Sequence, residues 1–271
     1  GCNMKKLVFV ISLFAVLTGC KKQSFDFKPY FKSFQGAFVL YNSESKQYTF
    51  YNKSLCETRF SPCSTFKIPN SLIALETGVI RNENEIIQWD GKQREYPGWN
   101  QNNHLQSAFK YSVVWFYQEL AKRVGEERMK KFIQSINYGN NDIHGGLTLF
   151  WLKRPESKLK ISPLEQVEFL KKFYFNQLPF HRRNIDTVKK IMVLTKTKTA
   201  VLSGKTGSGM EELPAGSPTH QKAKPVLGHF VGYVEKNNKT YFFAVTITGK
   251  GAMGPAAKEI AISILKGLKL L

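Results

Sequence analysis

The sequence is short of acid, of cysteine and of apolar runs long enough to cross a bilayer. Asp and Glu total 20 against 40 Lys and Arg, a formal net charge of +20 at pH 7 and a pI near 9.8. That balance permits nucleic acid, an anionic membrane surface or an acidic small molecule as a partner. The lysines are dispersed and no recognition motif accompanies them, so nucleic-acid binding is not expected. The chain has 4 cysteines with no Cys-x-x-Cys pair, and its 5 histidines are scattered. This excludes the usual zinc spacings, and no metal site is expected. No internal repeat or low-complexity stretch is apparent. What remains is 271 residues of 42% hydrophobic and 13% aromatic composition, which describes a packed globule of one large domain or two lobes.

The first twenty residues read as an address. Met4-Lys5-Lys6 is a short positive region, and the apolar run Leu7 to Leu17 is too short for a permanent span of about 30 Å. The tetrapeptide Leu17-Thr18-Gly19-Cys20 resembles a bacterial lipobox, in which the cysteine carries lipid. Residues 1–20 are therefore expected to be leader and signal, 21–33 a tether, and 34–271 the folded domain. The protein is expected at the periplasmic face, anchored to the membrane through Cys20. Cys56 and Cys63 then remain as either a short-loop disulfide or two buried thiols.

Alternation over Gly36 to Asn52, with a polar turn from Asn42 to Gln47, predicts a β-hairpin. Helical patterns cover Ser64 to Glu76, Ser107 to Val124, Glu126 to Ile136, Pro163 to Asn176 and Pro255 to Leu270. Pro69 conflicts with the first of these unless it lies near the helix start. Strands are expected at Ala200–Lys205, Val226–Glu235 and Lys239–Thr248. The expected fold class is α/β of the α+β type. A central antiparallel sheet from N- and C-terminal strands is flanked by helices, a helical lobe of about residues 70–195 is inserted, and a site lies in the cleft between.

Four short motifs carry chemistry. Ser64-Thr65-Phe66-Lys67 sets a hydroxyl and an amine three residues apart, on one helical face. Lysine can activate serine only when neutral, which requires burial to depress its pKa from about 10.4. An N-capping serine beside a solvated lysine has the same spacing. Gly204-Lys205-Thr206-Gly207 fails as a phosphate loop, because Thr199 stands where the first glycine is required. It reads either as a β-turn or as an edge strand holding an anionic substrate. Ser112-Val113-Val114, within a helical stretch, and Tyr138-Gly139-Asn140 say little alone.

In this order and spacing, the four motifs resemble those of the class D β-lactamases, within the penicillin-recognising serine enzymes. The flanking segments SPCSTFKIPNSLIALETG, WDGKQREYPGWN, KYSVVWFYQELAKRVG and LKISPLEQVEFLKKFY share the resemblance. It implies a β-lactam substrate, Ser64 as nucleophile and Lys67 carboxylated by carbon dioxide or bicarbonate as general base. No other cofactor is implied. Ser112 would relay a proton and Lys205 assist electrostatically, with the Ser64 and Ser208 N–H groups forming the oxyanion hole. Thr206, Gly207, Tyr138, Asn140, Val114 and Trp99 would line the substrate cleft. Phe66, Val114, Trp151 and Leu152 would enclose the modified lysine, with the Trp151 indole as donor. The family commonly carries an arginine after the last strand to bind the substrate carboxylate. This chain has none beyond Arg183, leaving Lys250, Thr248 or Lys258 to stand in. A monomer or a homodimer is expected. The alternative to hydrolysis is a penicillin sensor that stays acylated; such sensors follow membrane helices, whereas a short signal precedes the domain here.

Overall fold

The computed structural model describes residues 25–212 and 223–271. The signal, Cys20 and residues 21–24 of the expected tether lie outside the described residues; the rest of that stretch is no free tether, because Lys28–Phe31 form a 3₁₀ turn and Phe27 and Phe31 are buried in the core beside the sheet. Six strands form one antiparallel sheet in the order β2-β1-β6-β5-β4-β3. The strands are β1 Gln35–Asn42, β2 Gln47–Tyr51, β3 Val193–Lys196, β4 Ala200–Met210, β5 Pro225–Lys236 and β6 Lys239–Thr248. The expected hairpin is β1–β2, and the N-terminal pair joins the C-terminal strands through β1 against β6. β3 is an edge strand without a sequence forecast, because Val193 and Leu194 are exposed and offer no alternating pattern.

Alternation along the strands feeds two cores. Ala37, Val39, Phe242 and Ala244 face one side, and Phe38, Leu40, Phe243 and Val245 the other. The second face is covered by the C-terminal helix, which contributes Ala257, Ala261 and Ile264. The first face carries the helical lobe. In chain order, the helices are α1 Lys53–Glu57, α2 Lys67–Glu76, α3 Leu105–Lys110, α4 Val114–Val124, α5 Glu126–Ser135, α6 Pro163–Tyr174, α7 Arg182–Met192 and α8 Gly254–Gly267.

Two expectations are corrected. The helix forecast from Ser64 begins as a 3₁₀ turn, Cys63–Phe66, and becomes α-helical only at Lys67. Pro69 thus falls in the first turn of α2, where no intrahelical N–H bond is lost. The continuous helix forecast over Ser107 to Val124 is broken into α3 and α4. Ser112 sits at the break with φ +55°, a left-handed conformation that no helix interior contains. Cys56 and Cys63 are both buried and free, so the open choice between disulfide and thiols resolves to thiols.

Candidate active site

The turn bearing Ser64 is fixed from both flanks. Phe60 and Ile161 exchange backbone hydrogen bonds of 3.0 and 2.8 Å, and the Cys63 N–H donates to the Trp151 carbonyl at 2.8 Å. Cys63 itself has φ +51°. Burial pushes its thiol up to about 12, so it stays protonated beside Ser64. On the sheet side, Gly207 leaves no gap. A Cβ there would lie 3.0 Å from the Pro62 oxygen and 3.3 Å from the Ser64 nitrogen.

Helical spacing delivers the pair anticipated from sequence: Lys67 Nζ is hydrogen-bonded to Ser64 Oγ at 2.9 Å. Lys67 is 1% exposed. Burial, reinforced by the positive charge of Lys205, holds its amine well below the usual lysine range. Its Nζ also lies 5.1 Å from the centre of the Tyr117 ring, which the sequence reading did not single out. Phe66 stacks on Trp151 at 5.4 Å and meets Phe150 edge-on at 5.1 Å, building an apolar wall around the Ser64 turn. Within it, the Trp151 indole Nε1 is buried without any hydrogen-bond partner. A buried, unpaired donor is costly and uncommon. Leu152 and Val114, the latter opening α4, are half-buried.

The α3–α4 break brings Ser112 to the same place. Lys205 Nζ donates to Ser112 Oγ at 3.1 Å and to the Thr206 carbonyl at 3.0 Å. Burial, then the charge of Lys258, lowers the Lys205 pKa to about 7. Strand β4 runs past the Lys-Thr-Gly motif to Met210, while β3 pairs with it only as far as Ser203. Lys205 to Ser208 thus form the edge stretch that the sequence offered as one of its readings. Ser64, Ser112, Thr206, Gly207, Ser208 and Trp99 line one cleft of ≈ 270 Å³. Tyr96, Tyr111, Met210, Met253 and Pro255 complete its walls. Of these, Tyr111 adjoins Ser112 in sequence, but Met253 carries no local signal.

Three cleft assignments are corrected. Val114, at the start of α4, is not among the residues that line the cleft. Tyr138 is 0% exposed. Its hydroxyl reaches Gln166 at 3.4 Å and its ring packs on Phe66 and Phe169, so it is core. Asn140 spends its side chain on backbone: Nδ2 donates to the Lys158 carbonyl, and Oδ1 accepts from the Lys160 N–H. It ties one loop to another and lines no part of the cleft.

Among the substitutes for the absent arginine, Lys250 is exposed in the turn after β6, and Thr248 Oγ1 faces the Gln35 carbonyl. Lys258 instead lines a second cavity of ≈ 190 Å³ together with Lys205 and Thr206. Gly254, one turn earlier on α8, is pressed against β4. A Cβ there would come within 2.8 Å of Thr206 Cβ and 2.9 Å of the Gly207 oxygen, so no larger side chain fits.

The penicillin-binding protein transpeptidase domain matches residues 22–266. The regulatory protein BlaR1 of Bacillus licheniformis is 42% identical over 254 residues, covering 92% of this chain but only 40% of BlaR1. The probable β-lactamase YbxI of Bacillus subtilis is 37% identical, covering 89% of this chain and 84% of YbxI. The solved BPu1 β-lactamase superposes with a TM-score of 0.81 at 42% identity, over 92% of this chain and 98% of that one. The C-terminal domain of the B. licheniformis BlaR penicillin-receptor gives 0.81 at 41% identity, over 91% and 96%. A six-stranded antiparallel sheet, the Ser64–Lys67 pair beneath it and these relatives agree: the chain belongs to the penicillin-binding transpeptidase-domain family, in the group that holds the class D β-lactamases and the BlaR1-type receptor domains.

Proposed function

We propose that the protein hydrolyses penicillin-type β-lactams through an acyl-enzyme on Ser64. The 2.9 Å contact between Ser64 Oγ and the buried Lys67 amine, whose pKa burial holds well below the usual lysine range, carries this reading. Lys67 takes the hydroxyl proton as Ser64 attacks the lactam carbonyl. The Ser64 and Ser208 N–H groups face the oxygen where negative charge develops. Ser112 passes a proton to the lactam nitrogen, steadied by Lys205 3.1 Å away. The substrate carboxylate lies against Thr206 and Lys205, with Lys258 supplying further positive charge across the adjoining cavity. Trp99, Tyr111 and Met210 receive the apolar side chain.

Carboxylation of Lys67 by carbon dioxide supplies a better placed base for both acylation and deacylation. The residues present fit the added group. The neutral amine is the form that reacts with carbon dioxide, the apolar wall disfavours its loss by protonation, and the partnerless Trp151 indole N–H is a donor awaiting an acceptor.

The closeness of BlaR1 favours a second reading, a receptor that is acylated and does not turn over. Ampicillin or oxacillin with added bicarbonate separates the two. Hydrolysis predicts many turnovers per site, stimulated by bicarbonate, and loss of deacylation in Lys67→Ala. Labelling that stops at one equivalent would establish the receptor reading instead.

A further inference from the structure

The Ser61 carbonyl, three residues before the nucleophile, is turned towards the sheet. It lies 3.0 Å from His229 Nε2. A carbonyl can only accept, so Nε2 carries the ring proton and Nδ1 is bare. Nδ1 then accepts from the Thr246 hydroxyl, 2.9 Å away. His229 is 4% exposed, and burial lowers its pKa to about 4, which keeps this tautomer neutral at ordinary pH. On the sheet, His229 stands directly opposite Gly207 of β4 on one side and Thr246 of β6 on the other.

These contacts converge on one segment. Residues 61–64 touch Gly207 through the Pro62 oxygen and the Ser64 nitrogen. They are drawn to the far side by the Cys63 N–H bond to Trp151. At Ser61 the carbonyl meets the His229 ring and the hydroxyl accepts from Lys160 Nζ at 2.7 Å, so the ring is the segment's contact with β5. We propose that His229 is a positioning residue: acting through the Ser61 carbonyl, it sets how deeply the Ser64 turn seats on β4, and hence how the Ser64 hydroxyl and N–H stand relative to Ser208. It is not among the residues that line the cleft. The proposal rests on Ser64 being the acylated nucleophile, a step common to the hydrolase and receptor readings.

The test is pre-steady-state acylation of the full chain by a chromogenic cephalosporin, with k2 and Ks expressed per titrated active site. His229→Leu deprives Ser61 of its donor; k2 is expected to fall tenfold or more while Ks stays within twofold. His229→Gln keeps an N–H for Ser61 and is expected to recover most of k2. Thr246→Val, which releases the ring, is expected to lower k2 several-fold, with no further loss when added to His229→Leu. A merely structural role would lower the melting temperature and the number of titratable sites but leave k2 per site intact, and that result would overturn the proposal. If His229→Leu does not fold, Thr246→Val decides by the same criterion: unchanged k2 per site overturns. A wild-type protein that no β-lactam acylates would overturn the nucleophile reading and this proposal with it, whereas an acylated wild type with unaffected variants overturns the His229 role alone.

Discussion

At the scale of single residues, what a buried side chain touches, and not how deeply it is buried, separates Lys67, hydrogen-bonded to Ser64, from Tyr138, packed in the core. Ser64 and Lys67 were readable from sequence because three residues of helix leave them little choice of geometry, and Lys67 is enclosed to 1% exposure. Tyr138 was not readable, since a Tyr-Gly turn looks the same whether its ring faces a cleft or fills a core. Trp151 is the most exacting case, because its ring is packed like any core aromatic while its N–H is unpaired. Trp151→Phe keeps an aromatic ring against Phe66 and removes the donor together with part of the buried indole volume, a loss that a thermal melt reads separately. A hydrogen bond to a charged group contributes about 1.5–3 kcal/mol, so the bicarbonate needed for half-maximal turnover is expected to rise roughly tenfold or more, with acylation less affected. Titration of turnover against bicarbonate, with 13C-bicarbonate NMR of Lys67, checks this. Identical bicarbonate dependence in the variant would remove the indole from the account.

At the scale of elements, the informative feature is an interruption. Ser107 to Val124 has apolar spacing and composition suited to one helix, which is why periodicity predicts continuity. The chain nonetheless breaks at Ser112, and the Val113 N–H bonds back to the Ala108 carbonyl at 2.9 Å while α4 restarts. The left-handed Ser112 closes α3 locally, with the Ser112 and Val113 N–H groups bonded back to Phe109 and Ala108, but what places the break at a serine is legible only in the long-range contact with Lys205 on β4. The hairpin and the C-terminal strands were legible because their alternation is set by the sheet's two buried faces, whereas β3 is exposed along its length and left no such trace. A left-handed non-glycine residue costs of order 1–3 kcal/mol. Ser112→Gly is therefore expected to be more stable than Ser112→Ala by about 1 kcal/mol, although both lose the hydroxyl and both should acylate at least about 100-fold more slowly. Thermal melts and acylation rates of the two variants read the two effects separately. Equal stability would show the backbone there to be unstrained.

At the scale of the whole molecule, the sheet supplies a floor between two cores, and the cleft opens where β4 runs beyond its neighbour β3. Along that same edge, Lys110, Lys190, Lys205 and Lys258 line the cavity that adjoins the catalytic cleft through Thr206. The excess of positive charge, +20 over the full chain, thus has a concentration beside the site rather than only a diffuse presence. A field of this sign draws in an anionic substrate and weakens as salt shortens the Debye length from about 30 Å at 0.01 M to about 3 Å at 1 M. The second-order acylation constant k2/Ks for a penicillin acid is expected to fall roughly tenfold across that range. Its methyl ester, which carries no carboxylate charge, should be nearly indifferent, and comparing the two cancels any effect of salt on the protein itself. Lys258→Ala should shrink the preference for acid over ester at low salt, because it removes a cation that lines the same cavity as Lys205 and Thr206 and whose charge acts on Lys205. A parallel fall for acid and ester would assign the salt effect to the protein and leave its basic surface without a part in capture.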